Sequence, residues 1–177
     1  MPEQIVIIGA GFSGVWSALS AKRLIDLRNK NNDIKVLVIA PDPFLVLRPR
    51  LYEADISSMT HPLGPLFEEA GIGFFHGAAK SIDTVARTVH AQSVSGVESS
   101  IGYDRLILAA GSTLVRPQNI PGLEQYSFDV DSFRAAEKLD AHFKALVSRP
   151  ANPARNTVVV CGAGFTGIEL AAELPDG

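Results

Sequence analysis

Two stretches, "IVIIGAGFSG" at Ile5 to Gly14 and "VVVCGAGFTG" at Val158 to Gly167, constrain this chain of 177 residues more than any other feature. In each, an apolar run is ended by glycine, as expected of a parallel strand buried on both faces. A glycine pattern follows, and then a segment with helical spacing. The three glycines serve separate needs. Gly9 lets the chain turn sharply off the strand, Gly11 lets the backbone come close to a pyrophosphate, and Gly14 lets the helix pack tightly on the sheet. A helix beginning there offers unpaired N–H groups and about half a positive charge to phosphate oxygens. Gly162, Gly164 and Gly167 repeat the pattern. Alone it is a weak signal, and a glycine-rich packing turn would also satisfy it. The flanking strand, helix and second strand favour a dinucleotide site.

The rest of the chain supports that context. A helix is predicted from Phe12 to about Asn29 and a second buried strand at Lys35–Ile39, stopped by Pro41-Asp42-Pro43, which makes a β-helix-β unit. Phe44–Thr60 has no clean period and reads as a loop with a short helix, and Pro62–Ala70 as a short helix. Phe74–Phe75, Ala79–Asp83 and Thr88–Ser93 are strand-like, the last two joined as a hairpin by "TVAR". "RLILAAGS" reads as a buried strand returning to the main sheet. "RPQNIPGLEQ" and "SRPANPARN" are linkers, and between them Ser132 to Val147 is a helix capped by Ser132, with Phe133, Ala136, Leu139, Phe143 and Leu146 on one face. The strand-turn-helix pattern restarts at Thr157.

Composition bounds the function. Hydrophobic residues are 46% and charged residues 20% of the chain, ordinary globular usage. The apolar runs fall far short of the roughly 20 residues that span a bilayer, and the first of them, after Met1-Pro2-Glu3-Gln4 and before a Gly-rich turn, reads as a strand rather than a signal peptide. The expected location is the cytoplasm, or the inner face of a membrane as a peripheral attachment of a full-length protein. A net charge of -3 without a basic block argues against nucleic acid. The lone Cys161, within an apolar run, is expected to be a small buried hydrophobe. The four histidines show no ligand spacing, so no metal site is expected.

A carboxylate is expected at the end of the second strand to bind an adenosine ribose. Ala40 stands there and Asp42 is the nearest acid, so either Asp42 takes the role or the ribose is held another way. A turn-forming Asp between prolines remains the plain alternative.

"IVIIGAGFSG", "YDRLILAAGS", "NIPGL" and "VVVCGAGFTGIELAAEL", in this order and spacing, resemble the FAD-dependent pyridine nucleotide oxidoreductases, and "PFLVLRPRLYEA" is most similar to the type II NADH dehydrogenases. The resemblance covers nearly the whole chain. It implies an α/β fold: a Rossmann-like FAD-binding domain with a parallel sheet and a β-hairpin or meander insertion, followed by the first strand-turn-helix of a Rossmann-like NAD(P)H domain. The implied bounds are 1–115 for the FAD domain, 116–155 for a connector and helix, and 156–177 for the start of the NAD(P)H domain. Gly9, Gly11, Phe12, Ser13 and Gly14 would cradle the FAD pyrophosphate. Ala79 would touch adenine through its backbone. Ala110 and Gly111 would close over FAD, Ala110 replacing the usual threonine and losing its hydroxyl. Arg48 and Pro49 would lie near the isoalloxazine, although a solvated arginine explains Arg48 nearly as well. Gly162, Gly164 and Gly167 would meet the NADH or NADPH pyrophosphate. Glu169 matches the acid that lies toward the nicotinamide, with a plain helix-surface glutamate as its alternative.

The implied reaction is hydride transfer from NADH to flavin, then electron delivery to an acceptor, with no catalytic side chain required. The lack of CxxC argues against dithiol reduction and the "RPRLYEA" resemblance favours quinone; a ferredoxin-type or other carrier is the alternative acceptor, and a non-catalytic nucleotide-binding remnant the alternative from another class. From Thr157 only 21 residues remain, short of the roughly 30 of a complete βαβ unit. The chain therefore reads as the N-terminal part of a larger reductase. Thr157–Leu174 should expose an apolar surface that the remainder of the enzyme or a homo-oligomer partner would cover. The polypeptide alone is expected to bind FAD weakly or not at all, with little NADH oxidation.

Overall fold

A computed structural model describes residues 2–174; the expected domain bounds at residues 1 and 177 lie outside them. The chain divides into two compact units, Met1–Leu45 with His61–Ser112 and Val46–Thr60 with Thr113–Gly177.

The first unit is built on β1 (Glu3–Ile8), α1 (Phe12–Leu27) and β2 (Ile34–Ala40). After α2 (Gly64–Ala70) come β5 (Gly73–Asp83), β6 (Thr88–Ser93), β7 (Glu98–Gly102) and β8 (Arg105–Leu108). The chain leaves this unit and returns to it along a two-stranded ribbon, β3 (Phe44–Val46) and β4 (Thr60–Pro62). The six-stranded sheet has the order β7-β6-β5-β2-β1-β8. Its pairs β1–β2, β1–β8 and β2–β5 are parallel, whereas β5–β6 and β6–β7 are antiparallel.

The apolar runs are continuous because both faces of the central strands are covered. Ile7, Val36 and Val38 pack with Val15, Ala18 and Ile25 of α1 and with Leu63 and Phe67. On the opposite face Val6, Ile8 and Ile39 pack with Val89 and Ala91 of β6, so the meander covers what the helices do not. Val6, Ile7, Ala18 and Val38 are wholly buried, and full burial of an Ile or Val side chain stabilises by about 1.5–3 kcal/mol.

Several features differ from the sequence reading, among them the following. The pieces at Phe74–Phe75 and Ala79–Asp83 form one strand, whose first part pairs with β2 up to His76 and whose second pairs with β6 from Gly77. β7 was not foreseen; "ESSIG" alternates in burial but carries few strand-forming residues. β8 is an edge strand, with Leu108 68% exposed, instead of a buried one. The "TVAR" turn stands as expected, with Arg87 at φ 52°.

The second unit holds two 3-10 turns (Arg48–Arg50 and Ile56–Met59), the one-turn α3 (Leu123–Tyr126), α4 (Phe133–Leu146) and α5 (Phe165–Glu173). Ser132 caps α4 by accepting a hydrogen bond from the Ala135 N–H (3.3 Å). Leu51, Ile56, Met59 and Ala136 form its core, with Val46, Leu47, Val130 and Phe133 packed around them. Thr157–Cys161 runs without a ladder among the described residues. Cys161 is exposed, which corrects the expectation of a buried thiol. An apolar segment is buried only when neighbouring strands or helices cover it, and among the described residues no strand pairs with this one. No helix among the described residues is long and apolar enough to cross a membrane.

Gly77 marks the point where β5 changes partner. A Cβ there would lie 2.3 Å from the carbonyl oxygen of Gln92 and 2.8 Å from Cα of Ser93. Gly77→Ala is expected to destabilise the protein by about 1–3 kcal/mol through overpacking against backbone. Urea unfolding checks this; an unchanged midpoint would refute the close passage.

Candidate dinucleotide-binding corners

The first corner follows directly from β1. Its ladder extends one residue past the strand ends: the Gly9 N–H donates to Ile39 O (2.9 Å) and the Ala109 N–H to Ile8 O (2.8 Å). Gly9 then turns at φ +108°, a conformation that L side chains rarely adopt, and a Cβ on it would sit 2.1 Å from the carbonyl oxygen of Ala109. Gly11 is the N-cap of α1 (φ −76°, ψ −174°), and its carbonyl accepts the first helical bond from Val15 (2.9 Å). A Cβ on Gly14 would lie 1.9 Å from the carbonyl oxygen of Gly9.

The second corner repeats this backbone. Gly162 turns at φ +118°, Gly164 caps α5 (φ −77°, ψ 176°) and accepts from Ile168 (3.0 Å), and a Cβ on Gly167 would lie 2.2 Å from the carbonyl oxygen of Gly162. Neither helix has a side-chain cap or an acidic residue in its first turn. The first-turn N–H groups and the positive end of each helix dipole are therefore not offset locally, which suits an anion.

Gly11 and Gly164 differ from the other corner glycines in one respect. Both lie at ordinary negative φ, and a Cβ on either would meet nothing within 4 Å. The fold does not require glycine there. A ligand pressed against the backbone would.

The remaining residues fall around these corners as follows. Phe12 and Ser13 open α1, Phe12 being 46% exposed. Asp42 is half-buried, two residues past the end of β2, where His76 Nε2 lies 2.9 Å from the carbonyl oxygen of Pro41. Ala79 is half-buried in the antiparallel part of β5, beside a register shift, and paired with Ala91. Ala110 and Gly111 (φ +74°) are exposed and follow the Ala109 carbonyl that Gly9 faces. All of these belong to the first unit.

In the second unit a cleft of about 1410 Å³ is lined by Arg48, Pro49, Phe143, Gly162, Gly164 and Gly167, among others. Glu169 is exposed on α5 and is not among the lining residues. Arg48 donates from Nε to the carbonyl oxygen of Asp131 (2.9 Å) and from Nη2 to its Oδ1 (2.7 Å). Nearby, Arg50 pairs with Glu53, whose hydrogen bond and charge raise the guanidinium pKa. Sequence reasoning missed Asp131 and the Ala109 carbonyl. Asp131 lies 83 positions from Arg48, and its only local mark is its place before the cap Ser132.

The profile described as pyridine nucleotide-disulphide oxidoreductase matches residues 3–176. The chain belongs to this family. Among its relatives, a NADH dehydrogenase-like protein of Mycobacterium tuberculosis is 42% identical over 173 residues, which are 97% of this chain and 42% of that protein. The demethylphylloquinone reductase NdbB of Synechocystis is 32% identical over 178 residues, 98% of this chain and 43% of that one. The chain thus spans about two fifths of these relatives. The solved structure of NDH2 from Plasmodium falciparum in complex with RYL-552 shares the fold, with a TM-score of 0.81 at 20% identity over 98% of this chain and 36% of that one. A Rossmann-like α/β architecture with a mostly parallel sheet is common to this chain and that neighbour.

Gly9→Ala and Gly14→Ala each force a methyl group into backbone, the first also at positive φ. Each is expected to cost about 3 kcal/mol or more, read as a large fall in the denaturation midpoint. A near-native midpoint in either variant would contradict the corner geometry.

Proposed function

We propose that this chain belongs to an FAD-dependent NAD(P)H oxidoreductase. Its first corner, with Gly9, Gly11, Phe12, Ser13 and Gly14, holds the FAD pyrophosphate, and its second, with Gly162, Gly164 and Gly167, that of NADH or NADPH. On this reading residues 1–115 are the FAD-binding domain, 116–155 a connector with a helix, and 156–177 the beginning of the NAD(P)H-binding domain. Asp42 serves the adenosine ribose, Ala79 adenine, Ala110 and Gly111 the closure over FAD, and Arg48 and Pro49 the isoalloxazine. Glu169 faces the nicotinamide side.

The observation that carries the proposal is the open space in front of Gly11 and Gly164, on helix ends without side-chain caps. When bound, FAD supplies two-electron chemistry between a nicotinamide and a second acceptor; the chain supplies position and electrostatics. First-turn amides hold phosphate, and the glycines keep side chains out of its way.

Quinone is the favoured acceptor, because the Synechocystis relative is named for a quinone and the "RPRLYEA" segment resembles the type II NADH dehydrogenases. Stopped-flow reoxidation of the whole reduced protein by ubiquinone or menaquinone analogues should be quinone-dependent; a rate independent of quinone would reject this acceptor. Val159 and Phe165, 79% and 88% exposed, form a surface that the remainder of the enzyme or a second copy covers. Sedimentation that stays monomeric at high concentration would reject the second copy.

Gly11→Ala separates binding from folding. Its methyl group meets nothing in the chain, so stability should change by less than about 1 kcal/mol. FAD binding should be lost. Trp16, the sole tryptophan, is 65% exposed on α1, and its emission overlaps flavin absorption. FAD titration of the wild-type chain should quench it weakly but saturably, and Gly11→Ala should abolish the quench with melting unchanged. Equal binding by the variant would overturn the proposal.

A further inference from the structure

We infer that Asp131 is a positioning residue: it fixes the guanidinium of Arg48, and through it the ligand surface that Arg48 and Pro49 present. The inference rests on the flavin reading above.

Asp131 uses nearly all of its polar atoms to tie separate segments of the second unit. Its carbonyl oxygen accepts from Arg48 Nε (2.9 Å) and its Oδ1 from Arg48 Nη2 (2.7 Å). Its Oδ2 accepts from the Leu114 N–H (3.2 Å). Its own N–H donates to Asp129 Oδ1 (3.0 Å), and Asp129 Oδ2 in turn is bonded to Arg116. Two Asp–Arg pairs are thereby linked in series, and Arg48, Leu114, Arg116, Asp129 and Asp131 all line the same cleft.

The anchor adjoins the core of the second unit. Asp131 immediately precedes Ser132, the cap of α4, and Ala136 one turn later is 1% exposed in the core with Leu51, Ile56 and Met59. Arg48 sits on a single 3-10 turn. Two bonds from adjacent guanidinium nitrogens onto a carbonyl and a carboxylate set the plane of the guanidinium as well as its location, which a lysine ammonium cannot reproduce. The Arg48 and Asp131 side chains are 39% and 36% exposed, and an ion pair that open to water contributes little to stability. What the arrangement fixes is direction.

The test is a double-mutant cycle on FAD affinity, read by Trp16 quenching, with Arg48→Lys, Asp131→Asn and the pair combined. Because Asp131 acts through Arg48, each single variant should weaken FAD about tenfold and the double variant also about tenfold, not a hundredfold. The absorption envelope of bound flavin should shift in the same way in all three. Hydrogen exchange at the Leu114 amide, which needs no flavin, should speed up in Asp131→Ala, which removes both side-chain acceptors. Independent effects that multiply, an unchanged affinity in Asp131→Asn, or an unchanged Leu114 exchange rate would each overturn the inference. If the wild type binds flavin and Gly11→Ala abolishes it while Asp131→Asn is neutral, the positioning role alone falls. If Gly11→Ala binds flavin as the wild type does, both fall.

Discussion

Where α1 leaves β1, Gly14 lies so close to the carbonyl oxygen of Gly9 that a methyl group on it would stand 1.9 Å away. That close passage of helix over strand fixes the distance and angle at which α1 starts. The N-terminal amides of α1 are thereby placed at the end of the sheet. The same passage brings Val15, Ala18 and Ile25 down onto Ile7, Val36 and Val38, so the core and the first corner depend on one steric condition. Ala109, the residue after β8, adds to it, since its carbonyl lies where any side chain on Gly9 would go.

The second corner shows how local this geometry is. Gly162, Gly164 and Gly167 reproduce the turn, the cap and the close approach, although Thr157–Cys161 before them has no ladder among the described residues. The two corners differ where a neighbouring segment would sit: Gly9 faces the Ala109 carbonyl, whereas a Cβ on Gly162 meets nothing within 4 Å. Ten residues are enough to encode the turn. Burial of the strand that leads into it requires much more.

Much of the architecture was legible because its elements are set by strong local signals. The apolar runs of β1 and β2, the cap at Ser132 and the turn after Asp83 all lie where the sequence puts them. β7 and the edge position of β8 were not legible, since pairing partner and sheet order depend on contacts between remote segments. The buried reading of Cys161 failed for a related reason: apolar neighbours in sequence express a tendency to be covered, not the presence of a cover. The inferred role of Asp131 was invisible too, because an aspartate before a helix cap looks like any other.

By itself the sequence determined the two corners, since glycine alone accepts the positive φ at Gly9 and Gly162 and the close approach at Gly14 and Gly167. Only the tertiary structure decided which groups surround them: the Ala109 carbonyl behind Gly9, and the Asp131 carboxylate on Arg48 from 83 positions away. Backbone torsions are governed by neighbours within a few residues, whereas hydrogen bonds between remote segments exist only after sheet register and helix packing have brought them within reach.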